Sequence, residues 1–123
     1  VQGLAPILAK VRQDAAAQPT TSVPDLSKQL SPSDIVEICL YPCINEAART
    51  VAEGYAEQPS HVDVVSVMGY GFPAYRGGLM AYGKQQQYQH VCRRLEHWAQ
   101  VFPNQRGFFE PSKALKDLAA NTK

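Results

Sequence analysis

Residues 62–78 have the sequence VDVVSVMGYGFPAYRGG, in which a valine-rich run leads into a loop rich in glycine and aromatic residues. The loop, residues 69–78, contains four glycines and one proline, so it forms neither a regular helix nor a central strand. The valine run has strand propensity, but its apolar residues do not alternate, and Val64, Val65 and Met68 fit one helical face. We therefore predict a short helix that ends in a structured loop, whose backbone closely approaches another helix, a partner domain or a ligand.

The same loop matches the fingerprint of dinucleotide-binding sites at Gly69, Gly71 and Ala74. That fingerprint works only where a strand, a tight turn and a helix follow one another, so that the helix N-terminus holds the pyrophosphate. Pro73 falls within the turn, and the glycines at residues 77–78 end any helix that starts there. We therefore expect no cofactor-binding residues in this chain. A small nucleotide-binding protein is the alternative, and it requires a parallel sheet.

Two longer segments have helical periodicity. The first helix is predicted to begin at Ser31 or Ser33, each a favourable N-cap, and to end at Gly54. Its apolar stripe consists of Val36, Leu40, Ile44, Ala47 and Val51. The second helix is predicted from Lys84 to Phe102. Its apolar face consists of Tyr88, Val91, Leu95, Trp98 and Phe102.

Two shorter helices complete the predicted set. Ser60 and Asp63, three residues apart, have the pattern of a capping box at the start of the valine-rich helix. Ser112 is the predicted cap of the last helix, whose apolar residues are Ala114, Leu115 and Leu118. Helices of this length packed around one core give an all-α fold, a small bundle.

The N-terminal part of the chain differs in composition from the rest. Residues 4–17 are predicted to form a helix with Leu4, Ile7, Leu8 and Val11 on one face. Residues 18–33 contain three prolines and are typical of a linker. We therefore divide the chain into an N-terminal helix and linker, residues 1–32, and a helical domain, residues 33–123. The start at Val1, without a methionine, leads us to expect a piece of a longer polypeptide.

The composition excludes several classes of protein. Of the 123 residues, 45% are hydrophobic and 19% are charged, which is typical of a folded chain rather than a disordered one. A net charge of +1 gives no electrostatic attraction to nucleic acid or anionic membranes, and no apolar run reaches the roughly 20 residues that span a bilayer. Cys39, Cys43 and Cys92 lack the spacing of a disulfide framework or a zinc site, which favours a reducing, intracellular environment.

No group of residues has the pattern of a catalytic or metal site. His90, Cys92 and His97 lie close together in sequence, but the neighbouring Arg93 and Arg94 disfavour a cation there. We therefore interpret the two histidines as surface residues and expect no metal.

Arg76 is the charge of greatest interest, because the glycine loop presents it among aromatic rings. A guanidinium in such a place suits a phosphate or a carboxylate, and we favour a salt bridge across a domain interface. We interpret Tyr75, Tyr82 and Trp98 as packing residues.

Several motifs in the same order resemble a known family: LYPCINEAAR at residues 40–49, Glu53-Gly54, Val62-Asp63-Val64 and the loop that ends at Gly78. Together they resemble the C-terminal domain of 3-hydroxyacyl-CoA dehydrogenase. The Tyr-Arg-Gly-Gly of residues 75–78 is similar in particular to the second, last copy of that domain, which ends the multifunctional enzymes of fatty-acid β-oxidation. The resemblance is strong over residues 33–82 and looser to residue 123, and it leaves residues 1–32 unexplained.

The resemblance implies an all-α domain, like the C-terminal domain of 6-phosphogluconate dehydrogenase, that packs against a sister copy of itself. NAD and the catalytic His/Glu pair belong to a preceding nucleotide-binding domain of the parent, so the resemblance implies no catalytic residue in this chain. The first copy reads Val-Asn-Arg where this chain has Val36-Glu37-Ile38. This departure supports assignment to the last, non-catalytic copy. The implied substrate or interface loop consists of Tyr75, Arg76, Gly77 and Gly78.

The resemblance thus implies a structural, domain-pairing role in an NAD-dependent 3-hydroxyacyl-CoA dehydrogenase. The parent would oxidise 3-hydroxyacyl-CoA to 3-oxoacyl-CoA, and this fragment alone would be inactive. The implied partners are the sister helical domain and the nucleotide-binding domain of the parent, or a second copy in a homodimer when the fragment is isolated. A free-standing helical interaction domain without catalysis is the alternative.

The implied compartment is a peroxisome-like organelle, with a bacterial cytoplasm or a mitochondrion as the alternatives. Residues 121–123, Asn-Thr-Lys, do not form the Ser-Lys-Leu address of peroxisomal relatives. We expect either that the true C-terminus has been removed or that the compartment differs.

Overall fold

The structure of the chain is a computed structural model, and it describes residues 6–7, 9–10, 13 and 30–121. Six helices follow one another over residues 32–121: α1 (Pro32–Ala52), α2 (Pro59–Tyr70), α3 (Leu79–Gln85), α4 (Tyr88–Val101), α5 (Arg106–Phe109) and α6 (Lys113–Asn121). Single 3₁₀ turns lie at Ala74–Arg76 and Pro103–Gln105. No strand occurs among the described residues, and the predicted all-α fold is confirmed.

Five residues near the N-terminus are helical and exposed: Pro6, Ile7, Ala9, Lys10 and Gln13. The remainder of the helix predicted at residues 4–17, and the predicted linker up to residue 29, lie outside the described residues. The division of the chain at residue 32 stays a prediction.

Local sequence signals set both ends of α1. Of the two predicted caps, Ser31 is the one used. Its Oγ accepts a hydrogen bond from the Asp34 N–H at 3.2 Å, and the Asp34 carboxylate accepts one from the Ser31 N–H at 2.9 Å. This capping box satisfies donors that lack partners within the helix. The helix ends at Ala52, and Gly54 follows with a φ of +79°, a left-handed conformation that glycine adopts without strain.

The valine-rich run is a helix, as predicted, but its predicted capping box is wrong. α2 begins at Pro59 after the N-cap Gln58, and no side chain caps it. Proline suits the first helical position because it has no N–H to be capped. Ser60 lies inside the helix, and the Asp63 carboxylate bonds to α3 instead. The helix ends at the left-handed Gly71, whose φ is +69°.

The helix predicted over residues 84–102 is two helices, so its predicted start is wrong. Gln87 has a φ of +64°, which breaks the helical path before α4 begins at Tyr88. The break allows the buried Tyr88 hydroxyl to donate a hydrogen bond to the Met80 carbonyl at 2.9 Å. In one continuous helix these two residues would lie about 12 Å apart along the axis, too far for that bond. Glutamine has good helix propensity, so nothing local marks the break.

The core lies where α1 contacts α3, α4 and α6. The predicted stripes of α1, α4 and α6 supply its most deeply buried members: Ile44, Val91, Leu95 and Leu115. At the start of α1, Val36 is 41% exposed, so the stripe meets the core only farther along the helix. Helix α5 was not predicted, and its Phe109 is buried and stacks on Phe102 with ring centres 5.4 Å apart.

The unpredicted helix α3 lies very close to α1 at Gly83. A Cβ atom at this position would lie 2.8 Å from Cγ2 of Ile44 and 2.9 Å from Cε1 of Tyr88. Both distances are shorter than real Cβ contacts allow. The absence of a side chain at Gly83 therefore sets the spacing of the two helices.

A buried amide joins α1 to the C-terminal part of the domain. The Asn45 side chain is 1% exposed, and its Nδ2 donates a hydrogen bond to the Glu110 carbonyl at 3.0 Å. Its Oδ1 accepts from the N–H of Ser112 at 2.8 Å. The Ser112 Oγ in turn accepts from the N–H of Leu115 at 3.2 Å, which confirms the predicted cap of the last helix.

Leu95→Ala is expected to lower the free energy of unfolding by about 2–5 kcal/mol, because it leaves a cavity at a fully buried position. Ile35→Ala, at an exposed aliphatic position of α1, is the matched control, with an expected change below about 0.5 kcal/mol. Urea denaturation followed by circular dichroism measures both. Equal losses would contradict the placement of the core.

Candidate functional site

Two side chains of α2 hold the start of α3. The Asp63 Oδ1 accepts hydrogen bonds from the backbone N–H groups of Met80 at 2.6 Å and Ala81 at 3.1 Å. The Ser66 Oγ accepts from the N–H of Leu79 at 3.1 Å and donates to the Asp63 carbonyl at 2.8 Å. α2 therefore satisfies N–H groups in the first turn of α3 that have no partner within that helix. The carboxylate also lies at the positive end of the helix dipole.

The loop can lie this close to α2 only because of Gly78. Its φ is +109°, and a Cβ atom there would lie 2.4 Å from the Asp63 Cβ. The preceding Gly77 is also left-handed, with a φ of +85°. The close backbone approach predicted for this loop is thus made to a helix of the same chain. Sequence reasoning missed Asp63 as the partner, because it lies 17 residues before Met80 and no short-range pattern links the two.

Arg76 projects from the 3₁₀ turn of the loop. Its guanidinium carbon lies 5.4 Å from the centre of the Tyr75 ring and 5.8 Å from that of Tyr82, which is cation–π geometry. Tyr82 is buried, whereas Tyr75 is 84% exposed. Within residues 30–121 no acidic side chain forms an ion pair with Arg76. The loop therefore presents an oriented cation to the surroundings.

Glu37 lies in a polar cluster that joins α1 to α4. Its Oε2 accepts hydrogen bonds from Arg94 Nε and from Trp98 Nε1, the latter at 3.1 Å. Arg94 also pairs with Asp34 at 2.9 Å and lies 5.1 Å from the centre of the Trp98 ring. Hydrogen bonds from Ser31 lower the pKa of Asp34, and the charge of Arg94 lowers it further. Sequence reasoning placed Arg94 beside the histidines and did not pair it with these carboxylates, which lie on another helix.

The partial dinucleotide fingerprint lies at the end of a helix. Gly69 belongs to the last turn of α2, so the loop begins at Gly71 rather than at the predicted residue 69, and a single 3₁₀ turn follows Pro73. Over residues 59–76 there is therefore no strand from which a phosphate-binding turn could start.

His90, Cys92 and His97, which lie close together in the sequence, have different surroundings in the structure. His97 is exposed beside Trp98, as predicted, but His90 is half-buried, with its ring edge-on to Tyr41 at 6.3 Å. Cys92 is buried, and burial raises the pKa of its thiol. Across the described part of the chain, no three His, Cys, Asp or Glu side chains are placed to hold a metal ion.

The outer face of α2, which we define by Val64 and Met68, is open to solvent. Val64 is 61% exposed, and Met68, one helical turn later, is 82% exposed. Of the residues of α2, only Ser66 is fully buried. Among the helices over the described residues, none combines the length and the apolar character needed to cross a bilayer.

A second open apolar surface, the α1–α2 groove, has a volume of about 980 Å³. Leu40, Cys43 and Ala47 line it from α1, and Val62 and Val65 line it from α2. Cys43 is exposed on this surface, although partial desolvation by its neighbours raises the pKa of its thiol. Val64 and Met68 do not line the groove, so it is a surface distinct from the outer face of α2.

Gly78→Ala is expected to lower the free energy of unfolding by about 3 kcal/mol, through backbone strain and the clash with Asp63. Gly71→Ala is the matched control, since Gly71 is also left-handed but has open space around its Cβ position. Its expected loss is about 1 kcal/mol. Urea denaturation compares the two variants, and equal losses would contradict the contact between the loop and α2.

The Asp34 carboxylate is expected to make stability depend on pH. Because its pKa is lowered in the folded state, ionised Asp34 stabilises the fold above about pH 4, and this contribution is lost as the pH falls through the lowered pKa. Asp34→Asn should flatten the acid side of a plot of urea midpoint against pH. Glu53→Gln, at an exposed position beyond α1, is the control. An acid side as steep in Asp34→Asn as in the parent sequence would contradict this prediction.

Comparison with known proteins gives a consistent set of relatives, although no protein-family model matches the chain. The chain is 38% identical over 114 residues to the glyoxysomal fatty acid beta-oxidation multifunctional protein MFP-a of Cucumis sativus, covering 93% of this chain and 15% of that protein. It is 40% identical over 93 residues to the peroxisomal bifunctional enzyme of Homo sapiens, covering 76% and 13%. It is 36% identical over 88 residues to the peroxisomal fatty acid beta-oxidation multifunctional protein MFP2 of Arabidopsis thaliana, covering 72% and 12%.

These matches cover most of this chain and only a small part of each relative, 15% at most among the three. They agree with the resemblance seen in the motifs of this chain. The chain is therefore a homologue of one segment of the multifunctional proteins of peroxisomal and glyoxysomal fatty-acid β-oxidation.

Proposed function

We propose that residues 33–123 form the last helical copy in the dehydrogenase half of a multifunctional β-oxidation enzyme, and that this copy acts by pairing with its sister copy. The parent chain oxidises 3-hydroxyacyl-CoA to 3-oxoacyl-CoA with NAD. A preceding nucleotide-binding domain binds the NAD and carries the catalytic His/Glu pair. Residues 1–32 lead into the present domain, and the enzyme works in a peroxisome-like organelle.

The outer face of α2 is the observation that carries this proposal. Val64 and Met68 lie one turn apart on a folded domain, and both side chains are more than half exposed. Covering a side chain of this size contributes about 1.5–3 kcal/mol. Exposed apolar surface of this kind is typical of an interface with another domain. The greater length of the relatives supports a further domain of the parent as the cover, and the resemblance implies that this domain is the sister copy.

The loop of residues 75–78 supplies the polar part of the proposed interface. Tyr75 offers a large exposed ring, and Arg76 is oriented over Tyr82 with no ion pair among the described residues. Gly78 lets the loop lie against α2, and Gly77 lies beside Ala81 of α3. A carboxylate of the sister copy would accept two hydrogen bonds from the Arg76 guanidinium. This agrees with the sequence-based expectation that Arg76 forms a salt bridge across a domain interface rather than binding a substrate phosphate.

Glu37 supports assignment to the non-catalytic copy. It stands where the resemblance places an active-site Asn in the first copy. In this chain its carboxylate is bonded to Arg94 and Trp98 within the domain. A side chain engaged in this way holds α1 to α4, and it has no role toward a substrate in this proposal.

The 123-residue chain alone is expected to show no turnover with acetoacetyl-CoA and NADH, because the proposed NAD site and catalytic pair lie elsewhere in the parent. Adding it to the parent chain truncated before residue 1 should restore dehydrogenase activity. Val64→Asp combined with Met68→Asp should raise the amount of chain needed by about tenfold or more. Ile35→Asp, at an exposed aliphatic position of α1, is the matched control and should leave that amount unchanged.

Several results would overturn this proposal. Turnover by the isolated chain would place the active site within it. An effect of the α2 substitutions no larger than that of Ile35→Asp would place the interface elsewhere. An independent translation start near Val1, with no parent chain, would favour the free-standing interaction domain.

In the isolated chain a second copy should cover the outer face of α2, so sedimentation should give a dimer that the two α2 substitutions convert to a monomer.

A further inference from the structure

The α1–α2 groove gathers exposed apolar side chains that the proposed function does not use. Four residues that line it are each more than half exposed: Tyr55, Val65, Tyr70 and Phe108. This amount of exposed apolar surface in one groove indicates that another apolar surface docks there. The groove is distinct from the outer face of α2, so its occupant need not be the sister copy.

Acidic residues at the groove restrict the chemistry of the occupant. Glu46 and Glu57 both line it. Glu46 forms an exposed pair with Arg49 at 2.8 Å, whereas Glu57 has no ion pair within residues 30–121. These carboxylates would repel a free fatty acid. They favour a helix that is apolar on one face and basic beside it.

We propose that the segment of residues 4–17 of this same chain docks in the α1–α2 groove. Its apolar stripe consists of Leu4, Ile7, Leu8 and Val11. On a helical wheel, Lys10 and Arg12 lie on opposite sides of this stripe, where they can meet the acidic groove. Ile7 is helical and 60% exposed, so an apolar side chain of the segment and the groove are both uncovered.

The lengths of the segment and the linker suit this docking. From Leu40 to Thr50, the groove follows α1 for about 15 Å, and the stripe of the segment is about 10 Å long. Leu30 and Ala47, a residue in the farther half of the groove, are about 26 Å apart at the rise of an α-helix. Residues 18–29, when extended, span up to about 40 Å, which is enough to bring the segment there.

Cys43 provides a native reporter for the docking, since it is an exposed thiol that lines the groove. In the full chain with Cys39→Ser, the rate of Cys43 alkylation by iodoacetamide is measured by mass spectrometry, with the buried Cys92 as an internal reference. Ile7→Asp is expected to raise that rate about tenfold, because a carboxylate on the docking face opposes burial in an acidic groove. Ala9→Asp adds the same charge on the opposite face of the segment, and it should leave the rate within about twofold.

Each other outcome would overturn the proposal. Equal Cys43 rates in all three chains would mean that the segment does not cover the groove. Equal increases in Ile7→Asp and Ala9→Asp would mean that the docking face is not the apolar stripe. Protection of Cys43 that disappears on dilution would identify a second copy as the occupant. Circular dichroism of each variant checks that the helical domain is folded, and none of these readouts depends on dehydrogenase activity.

Discussion

The hydrogen bonds between the Asp63 carboxylate and the start of α3 are the contacts on which the rest of the structure depends. α3 has seven residues and is too short to be stable alone, so its position follows from the point at which it begins. That point places Met80 and Tyr82 in the core and presses Gly78 against the backbone of α2. Without the carboxylate, partly buried N–H groups would have no partners, a cost beyond that of a missing surface cap.

The same junction links the core of the domain to its outward surfaces. α2 carries Asp63 on its inner side and Val64 and Met68 on its outer side, while the loop held by Asp63 displays Arg76. A loop fixed before it meets a partner loses little conformational freedom on binding, so more of the contact energy remains for affinity. The buried amide of Asn45 and the ion pairs of Arg94 hold α1 to the later helices. The domain is therefore suited to act as a rigid partner.

Sequence reasoning succeeded where the deciding interactions are local. The cap at Ser31, the stop at Gly54 and the apolar stripe of α4 each depend on residues a few positions apart. The capping role of Asp63 and the break at Gln87 depend on α3, whose partners lie far away in sequence, so neither was predicted. At the candidate site, the glycines of the loop predicted a close backbone approach, and the position of Arg76 in the loop predicted an oriented cation. Neither feature indicated that α2 is the helix that the loop approaches. The family resemblance contributed the sister copy, which no pattern of residues within this chain specifies.

Gly83 has a consequence for how this sequence can vary. The space beside its Cα, between the Ile44 side chain and the Tyr88 ring, is too small for a methyl group. A methyl group added at 83 would meet both neighbours, so it requires smaller side chains at 44 and 88 or a wider spacing of the helices that carry them. The size of the residue at 83 is thus coupled to the side-chain volumes at both 44 and 88.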